Sequence, residues 1–487
     1  MKTCPGPGEN VLSSVEARTF LKPELPARFV RISEAISFYS LLVLIALTAI
    51  PYGAAETWWK ALFQCAVFFL AALSVVNSFL WKRETSYDYR LLLPPLILIG
   101  FAVLQTLPWS HQTIAGVDHI ARTVSADPLQ TRRFVGQLGA LVLAGSLLVT
   151  HTNSQKRLRL LVELIIAIGV MSASFGLFRQ ATQKDVGFIL PYLRPGFGYA
   201  QFINPDHFAF LMEMTLGLAL GITVCRGVSG RRLAAYLLAC VPMWIALILA
   251  NSRGAILSML CQVIFLAWLF SSARNSFWKA SEGDLRPSGI WLFQKIRSLA
   301  VRAILIMALL AAAVVTVIFI GGEPLARKLG AVSVELDQKT ADAYTLRLNI
   351  WQATKELIKD HPIAGVGFGG YWIAVTKYHH SSGAITPQEA HSDYLELLAS
   401  GGLIGLAIGV WFVVEFSRAV RRKLRIAHRY DRAVTLGALA ASMTVAIHSL
   451  IDYGLHITIN ALLLTSLISI VAISVGDRKN QDEEFVR

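Results

Sequence analysis

The chain has 487 residues, of which 55% are apolar and 16% are charged, and its mean hydropathy is +0.55. Soluble globular proteins carry about 25% charged residues, so the composition excludes an ordinary soluble enzyme, a disulfide scaffold and a disordered chain. Apolar runs of about twenty residues recur along the sequence, and a helix of that length crosses a bilayer. The sequence therefore predicts an all-α, polytopic integral membrane protein.

Hydropathy predicts twelve membrane spans in chain order, which places both termini on one side of the membrane. The predicted spans are 35–52, 59–81, 91–108, 134–151, 159–178, 207–225, 233–250, 254–273, 300–321, 401–417, 433–453 and 457–475. The chain then divides into a tail (1–34), the first nine spans (35–321), a large outer loop (322–400), three further spans (401–475) and a tail (476–487).

The net charge of +14 comes from 45 basic and 31 acidic residues, and it raises the question of nucleic-acid binding. The basic residues instead gather in alternate short connections, on the side that holds the termini. They include Lys82, Arg83, Lys156, Arg157, Arg226, Arg231, Arg232, Arg418, Arg421, Arg422, Lys423, Arg425, Arg429 and Arg432. Lys and Arg concentrate in cytoplasmic loops, so we expect cytoplasmic termini and no nucleic-acid partner.

The outer loop contains a predicted amphipathic helix over 344–360, which His361 and Pro362 bring to an end. We expect this helix to lie on the outer membrane boundary. A glycine-rich turn, 365–370, follows it directly. A dinucleotide-binding fingerprint would need a strand before the glycines, so an adaptable tight loop is the better interpretation.

Polar residues gather where several predicted spans reach the outer face. Ionisable groups near membrane depth are costly and tend to be functional, so we expect these segments to converge on one site. His448 and Asp452 are four residues apart and could hydrogen-bond on one helix face. The candidates are Asn204, Asp206, His207, Ser252, Arg253, Arg347, His391, His448 and Asp452, with Asn251 in the same turn as Arg253.

Each candidate also has a structural interpretation. Arg253 could be an interfacial anchor, Asp206 an N-cap and His448 a satisfied buried histidine. Glu213, two turns into the sixth span, has no obvious partner. A metal site built on His379, His380 and His391 is disfavoured because the adjacent pair shares no regular spacing with the third histidine.

The residue types favour one chemistry. Arginine binds phosphate and pyrophosphate through bidentate, permanently charged hydrogen bonds. Cationic neighbours lower the pKa of a histidine, which then stays neutral and available as a general base. A base beside a pyrophosphate clamp is suited to displacing a lipid pyrophosphate.

Several segments, taken in order, resemble the motifs of the O-antigen ligase and polymerase superfamily. They begin with 202–209 (FINPDHFA), 251–254 (NSRG) and 346–351 (LRLNIW). They continue with 361–367 (HPIAGVG), 390–395 (AHSDYL), 401–405 (GGLIG) and 448–452 (HSLID). The ordered set covers about 200–455 and is far more specific than any single motif.

The resemblance implies an inverting glycosyltransferase of surface polysaccharide synthesis (O-antigen, capsule or exopolysaccharide) at the periplasmic face of a bacterial inner membrane. It implies an undecaprenyl-pyrophosphate-linked glycan as donor, a glycan or lipid A-core as acceptor, membrane lipid around the chain, and no cofactor or metal. A flippase and a chain-length regulator are the implied protein partners. His391 would be the base, and Arg253 and Arg347 would hold the pyrophosphate. The implied substrate-binding residues are Asn204, Asp206, His207, Ser252, Gly365, Gly367, His448 and Asp452.

Three acceptor classes and one other class of protein, a transporter, stay open at this point. Polymerase, O-antigen ligase and protein oligosaccharyltransferase differ only in the acceptor. Ser392 and Asp206 stand where many ligases have Asn, which leaves the substrate class open. A secondary transporter would place its ionisable groups near the midplane, whereas here they lie at the outer ends of the spans.

Overall fold

The structure, a computed structural model, describes residues 24–80, 89–114, 117–182, 193, 198–281, 340–379, 387–426 and 428–473. Several predictions fall outside these residues. They are the span 300–321, the first part of the outer loop (322–339), His380, most of the N-terminal tail and the C-terminal tail.

Helices make up almost all of the described chain. They are α1 (Glu24–Thr48), α2 (Thr57–Leu80), α3 (Leu93–Gln105), α4 (Pro128–His151), α5 (Gln155–Thr182), α6 (Pro205–Val224), α7 (Gly230–Leu249), α8 (Arg253–Ser281), α9 (Thr340–Asp360), α10 (Tyr371–Ala374), α11 (Asp393–Ile426), α12 (Arg429–His448) and α13 (Thr458–Ala472). Short 3₁₀ turns cover Tyr89–Leu91, Val375–Lys377 and Gly454–His456.

The prediction of a helical membrane protein is confirmed. Among the described residues, six helices are long and apolar enough to cross a membrane, namely α2, α4, α5, α6, α7 and α11. Shorter apolar helices lie within α1, α3, α8 and α13. A described helix overlaps each predicted span except 300–321, while the number of membrane crossings stays a prediction.

One element was not predicted from the sequence. The connection between α3 and α4 forms an antiparallel hairpin, with β1 (Ser110–Ile114) paired to β2 (Val117–Arg122). The segment lies between two apolar runs and is too short to give a clear strand signal of its own.

Helix α6 is the centre of the bundle, since every residue of its apolar window is buried inside the protein. It packs most extensively along α12, and it also contacts α5, α7 and α8. Small residues allow this close approach: a Cβ added at Gly221 would lie 2.2 Å from the Cα of Gly437. The start of α6 and the end of α12 therefore meet at the same end of the bundle, which we call the site end.

A helix lies where the amphipathic helix was predicted: α9 ends at Asp360, directly before His361 and Pro362. Its place on the outer membrane boundary stays a prediction. The glycine-rich turn then docks on α11, where the backbone NH groups of Val366 and Gly367 donate to the carbonyls of Ala399 and Ser400 (both 3.0 Å). Glycine is required at position 365 because its φ is +65° and an added Cβ would lie 2.4 Å from the backbone of Ser400. This turn fixes the outer loop to the bundle.

Candidate functional site

The beginning of α6 supplies the first acidic group of the site. Asn204 is the N-cap, because its side-chain oxygen accepts a 2.9 Å hydrogen bond from the NH of Asp206. The interpretation of Asp206 as the N-cap is therefore wrong. With the cap supplied two residues earlier, the carboxylate of Asp206 is free to face other elements.

Arg347 of α9 lies over two carboxyl groups. Its Nη2 is 3.5 Å from Asp206 and 3.9 Å from Asp452, which stands just after the end of α12. The Arg347 side chain is 42% exposed and that of Asp452 only 2%, so the guanidinium has one face toward the carboxyl groups and another open. We call Arg347, Asp206 and Asp452 the arginine cluster.

The two carboxyl groups of this cluster are hydrogen-bonded to each other. Two carboxylates so close do not both ionise easily, so they share a proton. Burial and the neighbouring Asp206 raise the pKa of Asp452 to about 7. Below pH 7, the arginine cluster thus places about one negative charge against one permanent positive charge.

His391 lies in the turn that precedes α11. Its φ is +51°, a left-handed conformation that is uncommon and strained for a non-glycine residue. Burial, followed by the positive charge of Arg347, lowers the pKa of His391 below its ordinary value. The imidazole is therefore neutral at pH 7, as expected of a general base.

Contacts on both sides hold the His391 segment. The indole NH of Trp351 on α9 donates to the carbonyl of Ala390 (3.0 Å). The NH of Asp393 donates to the carbonyls of Ser449 (3.0 Å) and Asp452 (3.2 Å), and the Ser449 hydroxyl donates to the Asp393 carboxylate (2.6 Å). The backbone of the histidine turn is thus fixed against the chain that carries the arginine cluster.

The turn before α8 joins the same end of the bundle. Asn251 has a φ of +56°, which asparagine tolerates better than most residues. The buried Ser252 hydroxyl accepts from the NH of Ala255 (3.2 Å) and contacts the Asp206 carboxylate. Arg253 is the first residue of α8, and its side chain is exposed with no ion pair to another described residue.

His448 does not form the side-chain hydrogen bond to Asp452 that its spacing suggested. α12 ends at His448, and its Nδ1 lies 3.0 Å and 3.2 Å from the two carboxylate oxygens of Glu213 on α6. Both side chains are buried, with relative exposures of 1% and 0%. Glu213, which showed no partner in the sequence, therefore has one on the neighbouring helix.

Tyr453 is a central residue that the sequence analysis missed. Its ring lies edge-on to three histidines, with centroid distances of 5.0 Å to His207, 4.9 Å to His391 and 5.8 Å to His456. The Nε2 of His207 is buried and has no hydrogen-bond partner among the described residues. Its place directly after Asp452 was the one hint in the sequence that Tyr453 belongs to the site. Its contacts with the histidines depend on how the helices pack.

A second polar cluster adjoins Tyr453 through the ring of His456. Nδ1 of His456 is 3.3 Å from Glu389, and its Nε2 is 3.5 Å from Glu396 and 3.9 Å from Asp393. Partial burial opposes the charged form, but Glu396 and Glu389 raise the pKa of His456 to about 10. We call these four residues the imidazole cluster, and the sequence analysis named none of them as a site residue.

The imidazole cluster borders a cavity of about 2320 Å³ between α2, α4, α11 and α13. Glu389, Asp393, Glu396, His456 and Lys60 line it at the site end. Further along the helices its lining includes Leu138, Leu141, Val142, Leu406, Val410 and Val413. The cavity is therefore polar at one end and largely apolar along the helices.

Gly365 and Gly367 lie beside the bundle rather than in either polar cluster. A Cβ added at Gly367 would lie 2.5 Å from the side chain of Ser125, just before α4. The contacts of both glycines are with the segment before α4 and with the backbone of α11. They set the position of the outer loop relative to the bundle.

Two groups of described residues could hold a cation by distance alone. Asp206, His448 and Asp452 form one, Glu389, Glu396 and His456 the other, and the candidate ligand atoms of each lie within 4.8 Å of one another. Both sets fit a metal poorly, since Arg347 already faces the first pair of carboxyl groups and His456 is itself a cation among carboxylates. His379 belongs to neither group.

The fold and this site define a class of protein: a multi-pass membrane protein with a buried acid, base and arginine site where its apolar helices end. Residues 238–410 match the family described as O-antigen ligase. The match confirms the resemblance to the O-antigen ligase and polymerase superfamily, whose membrane enzymes process lipid-linked glycans. No curated protein matches the chain.

Proposed function

We propose that the protein transfers or polymerises an undecaprenyl-pyrophosphate-linked glycan at the periplasmic face of a bacterial inner membrane. The observation that carries the proposal is the position of Arg347 over Asp206 and Asp452, close enough to His391 to lower its pKa. A neutral base and an exposed, permanently charged guanidinium are what displacement of a pyrophosphate requires.

The donor pyrophosphate would bind Arg347. Its guanidinium is balanced by a carboxyl pair that shares a proton, so an incoming pyrophosphate can replace a weakly held anion. Arg253, exposed at the start of α8, would supply a second cation. Asn204, Asp206, His207, Ser252, His448 and Asp452 would surround the same substrate.

His391 would take the proton of the acceptor hydroxyl as that oxygen attacks the anomeric carbon. The bond from that carbon to the pyrophosphate oxygen breaks, and its electron pair leaves with the polyprenyl pyrophosphate. Attack opposite to the leaving group inverts the anomeric centre. Hydrogen bonds from the arginines to the departing oxygens would strengthen as negative charge develops there.

The cavity beside the imidazole cluster supports a lipid-linked substrate. The lipid chain needs apolar surface and the glycan needs hydrogen-bonding groups, and the cavity offers apolar helix faces along its length and carboxyl groups at the site end. A polymerase would elongate the glycan on the carrier lipid, whereas a ligase would move finished glycan to lipid A-core or to protein.

Cells that lack the protein provide the test. Their surface and lipid-linked glycans are compared after complementation with wild type, His391→Ala, Arg347→Ala or Arg253→Ala. Lys359→Ala is a matched control, because among the residues that the structure describes this exposed cation of α9 pairs only with Glu356, one turn away (2.6 Å). Immunoblotting of membranes verifies that each variant accumulates.

We expect wild type and Lys359→Ala to restore the glycan and the three site variants to fail. Accumulated single repeats would indicate a polymerase, and accumulated long lipid-linked chains would indicate a ligase. Full restoration by any two of the three site variants would refute the proposal.

A further inference from the structure

The most deeply placed ionisable group of the described site is Glu213, two turns into α6. Its side chain is fully buried, and its carboxylate is held by Nδ1 of His448 at 3.0 Å. An ionisable residue at such depth is expensive, and such residues in membrane helices usually serve a function. Glu213 takes no part in the bond-making and bond-breaking steps of the proposed transfer.

His448 links this carboxylate to the arginine cluster. A ring nitrogen of His448 lies within 4.8 Å of a carboxylate oxygen on Asp206 and of one on Asp452. With Nδ1 occupied by Glu213, the buried Nε2 has no hydrogen-bond partner among the described residues. The groups thus form a continuous series from Glu213 through His448 and the carboxyl pair to Arg347.

Packing fixes the imidazole plane. The ring stacks on Phe210 of α6, with centroids 4.1 Å apart and planes inclined by 16°. On the opposite helix, Gly254 leaves room for the imidazole, since an added Cβ would lie 2.5 Å from Nε2. The ring therefore has little freedom to rotate, and the hydrogen bond to Glu213 defines which nitrogen faces the site.

We propose that Glu213 is a positioning residue of the transfer reaction, acting through His448 on the Asp206–Asp452 pair that presents Arg347 to pyrophosphate. The inference rests on the proposed function. The carboxylate of Glu213 is the counter-ion that allows His448 to carry positive charge beside the pair. The hydrogen bond fixes the His448 ring beside the pair, and the charge of that ring sets the pH at which Asp452 loses the proton that the pair shares.

The charged groups that act on this series come from four elements. They are Glu213 and Asp206 of α6, His448 and Asp452 at the end of α12, Arg347 of α9, and Asp393 at the start of α11. Of these, Glu213 is the fully buried group, two turns into α6, and the proposed transfer gives it no contact with substrate. Its substitution therefore tests positioning without removing a group that contacts substrate.

The test measures transfer by the purified full-length protein in nanodiscs, with lipid-linked glycan extracted from the deletion cells as donor. Wild type, Glu213→Gln, His448→Gln and the double variant are compared between pH 5.5 and 9. Thr444→Val is the matched control, because it removes an equally buried hydrogen bond between α8 and α12, from Gln262 to Thr444 (2.7 Å). Gel filtration and thermal unfolding check that each variant is folded.

We expect Glu213→Gln to lower kcat by about tenfold, with a smaller change in the donor KM. Without its counter-ion, His448 loses its positive charge, and Asp452 then holds its proton to higher pH. The alkaline limb of the pH profile of transfer therefore shifts to higher pH. His448→Gln and the double variant should show the same shift, because residues that act as one unit are not additive. Thr444→Val should follow the wild-type profile.

A Glu213→Gln profile that superimposes on that of Thr444→Val would overturn the positioning role. So would additive losses in the double variant. If Glu213→Gln does not fold, the pH profile of His448→Gln is the test. An alkaline limb at higher pH than in wild type supports the positioning role, and an unshifted limb overturns it. Retention of transfer by both His391→Ala and Arg347→Ala would instead refute the proposed function, which separates the two failures.

Discussion

The arginine cluster and the imidazole cluster both adjoin Tyr453 and differ in the cation at their centre. Arg347 is exposed over two carboxyl groups that share a proton, and its charge persists at every relevant pH. His456 is surrounded by Glu389, Glu396 and Asp393, and its charge depends on those neighbours. One cation is free to accept a new anion, while the other is already saturated.

This difference separates a site for an anion from a site for neutral polar groups. The guanidinium has an open face and only a partial counter-charge, which favours pyrophosphate. The carboxylates around His456 would repel pyrophosphate but accept hydrogen bonds from sugar hydroxyls. His391 lies between the two clusters, in ring contact with Tyr453.

Removing the cation of each cluster in turn should separate the roles of the two clusters most clearly. Arg347→Ala should lower transfer by about 10²–10³-fold, because the developing charge on the pyrophosphate loses its main donor. Arg347→Lys should recover part of that loss, since it restores charge without the bidentate fork. His456→Gln should cost much less. Initial rates with extracted donor measure all three, and equal losses for Arg347→Ala and His456→Gln would contradict the comparison.

A second prediction concerns pH. Burial and Asp206 raise the pKa of Asp452 to about 7, so below pH 7 the pair carries a proton and above it two carboxylates compete with pyrophosphate for Arg347. The kcat/KM for donor should therefore fall as pH rises through about 7. Asp452→Asn imitates the protonated form and should keep its kcat/KM to higher pH. Identical alkaline limbs in wild type and Asp452→Asn would show that another group controls the rate.

The close packing of the glycine-rich turn (365–370) on α11 can be tested by substitution. Gly365→Ala places a Cβ 2.4 Å from the backbone of Ser400 at a φ of +65°, and should destabilise the protein by about 1–3 kcal/mol. Gly139→Ala is the control, because no atom of another described residue lies within 4 Å of a Cβ added there. Thermal unfolding in nanodiscs measures both, and an unchanged Tm for Gly365→Ala would contradict the close packing.

The smallest expected effect is the stabilisation that the charge of His456 provides. Glu396 and Glu389 raise its pKa to about 10 against partial burial. Because the folded-state pKa is raised, this stabilisation is complete below about pH 6.5 and is lost as pH rises through about 10. Tm should decline by a few degrees more in wild type than in His456→Gln between pH 7 and 10. If Tm falls equally with pH in wild type and His456→Gln, the positive charge of His456 does not stabilise the fold.

Much of the fold was predictable because bilayer-length apolar runs and a proline stop are local signals. Helix α9 ends at Asp360 as the His361–Pro362 pair predicts. The convergence of Asp206, Arg347 and Asp452 followed from topology, since all three lie at the same end of predicted elements.

The partners of buried groups were not predictable, because they depend on how helices rotate and pack. Glu213 and His448 are 235 residues apart, and only the close packing of α6 along α12 joins them. His456 lies in the short connection between the predicted spans 433–453 and 457–475, and its three carboxylate neighbours are far from it in sequence, so they gave no local signal. Spacing within one helix indicated a His448–Asp452 bond, and the end of α12 at His448 prevented it.

The role of the arginine cluster as the pyrophosphate site can be tested by measuring both products of one turnover. Purified protein in nanodiscs is mixed with extracted lipid-linked glycan, and free polyprenyl pyrophosphate and glycan product are quantified for wild type, His391→Ala and Arg347→Ala. We predict that wild type releases the two products in equal amounts and that both variants release neither. Equal product release by Arg347→Ala and wild type would contradict the assignment of the arginine cluster as the pyrophosphate site.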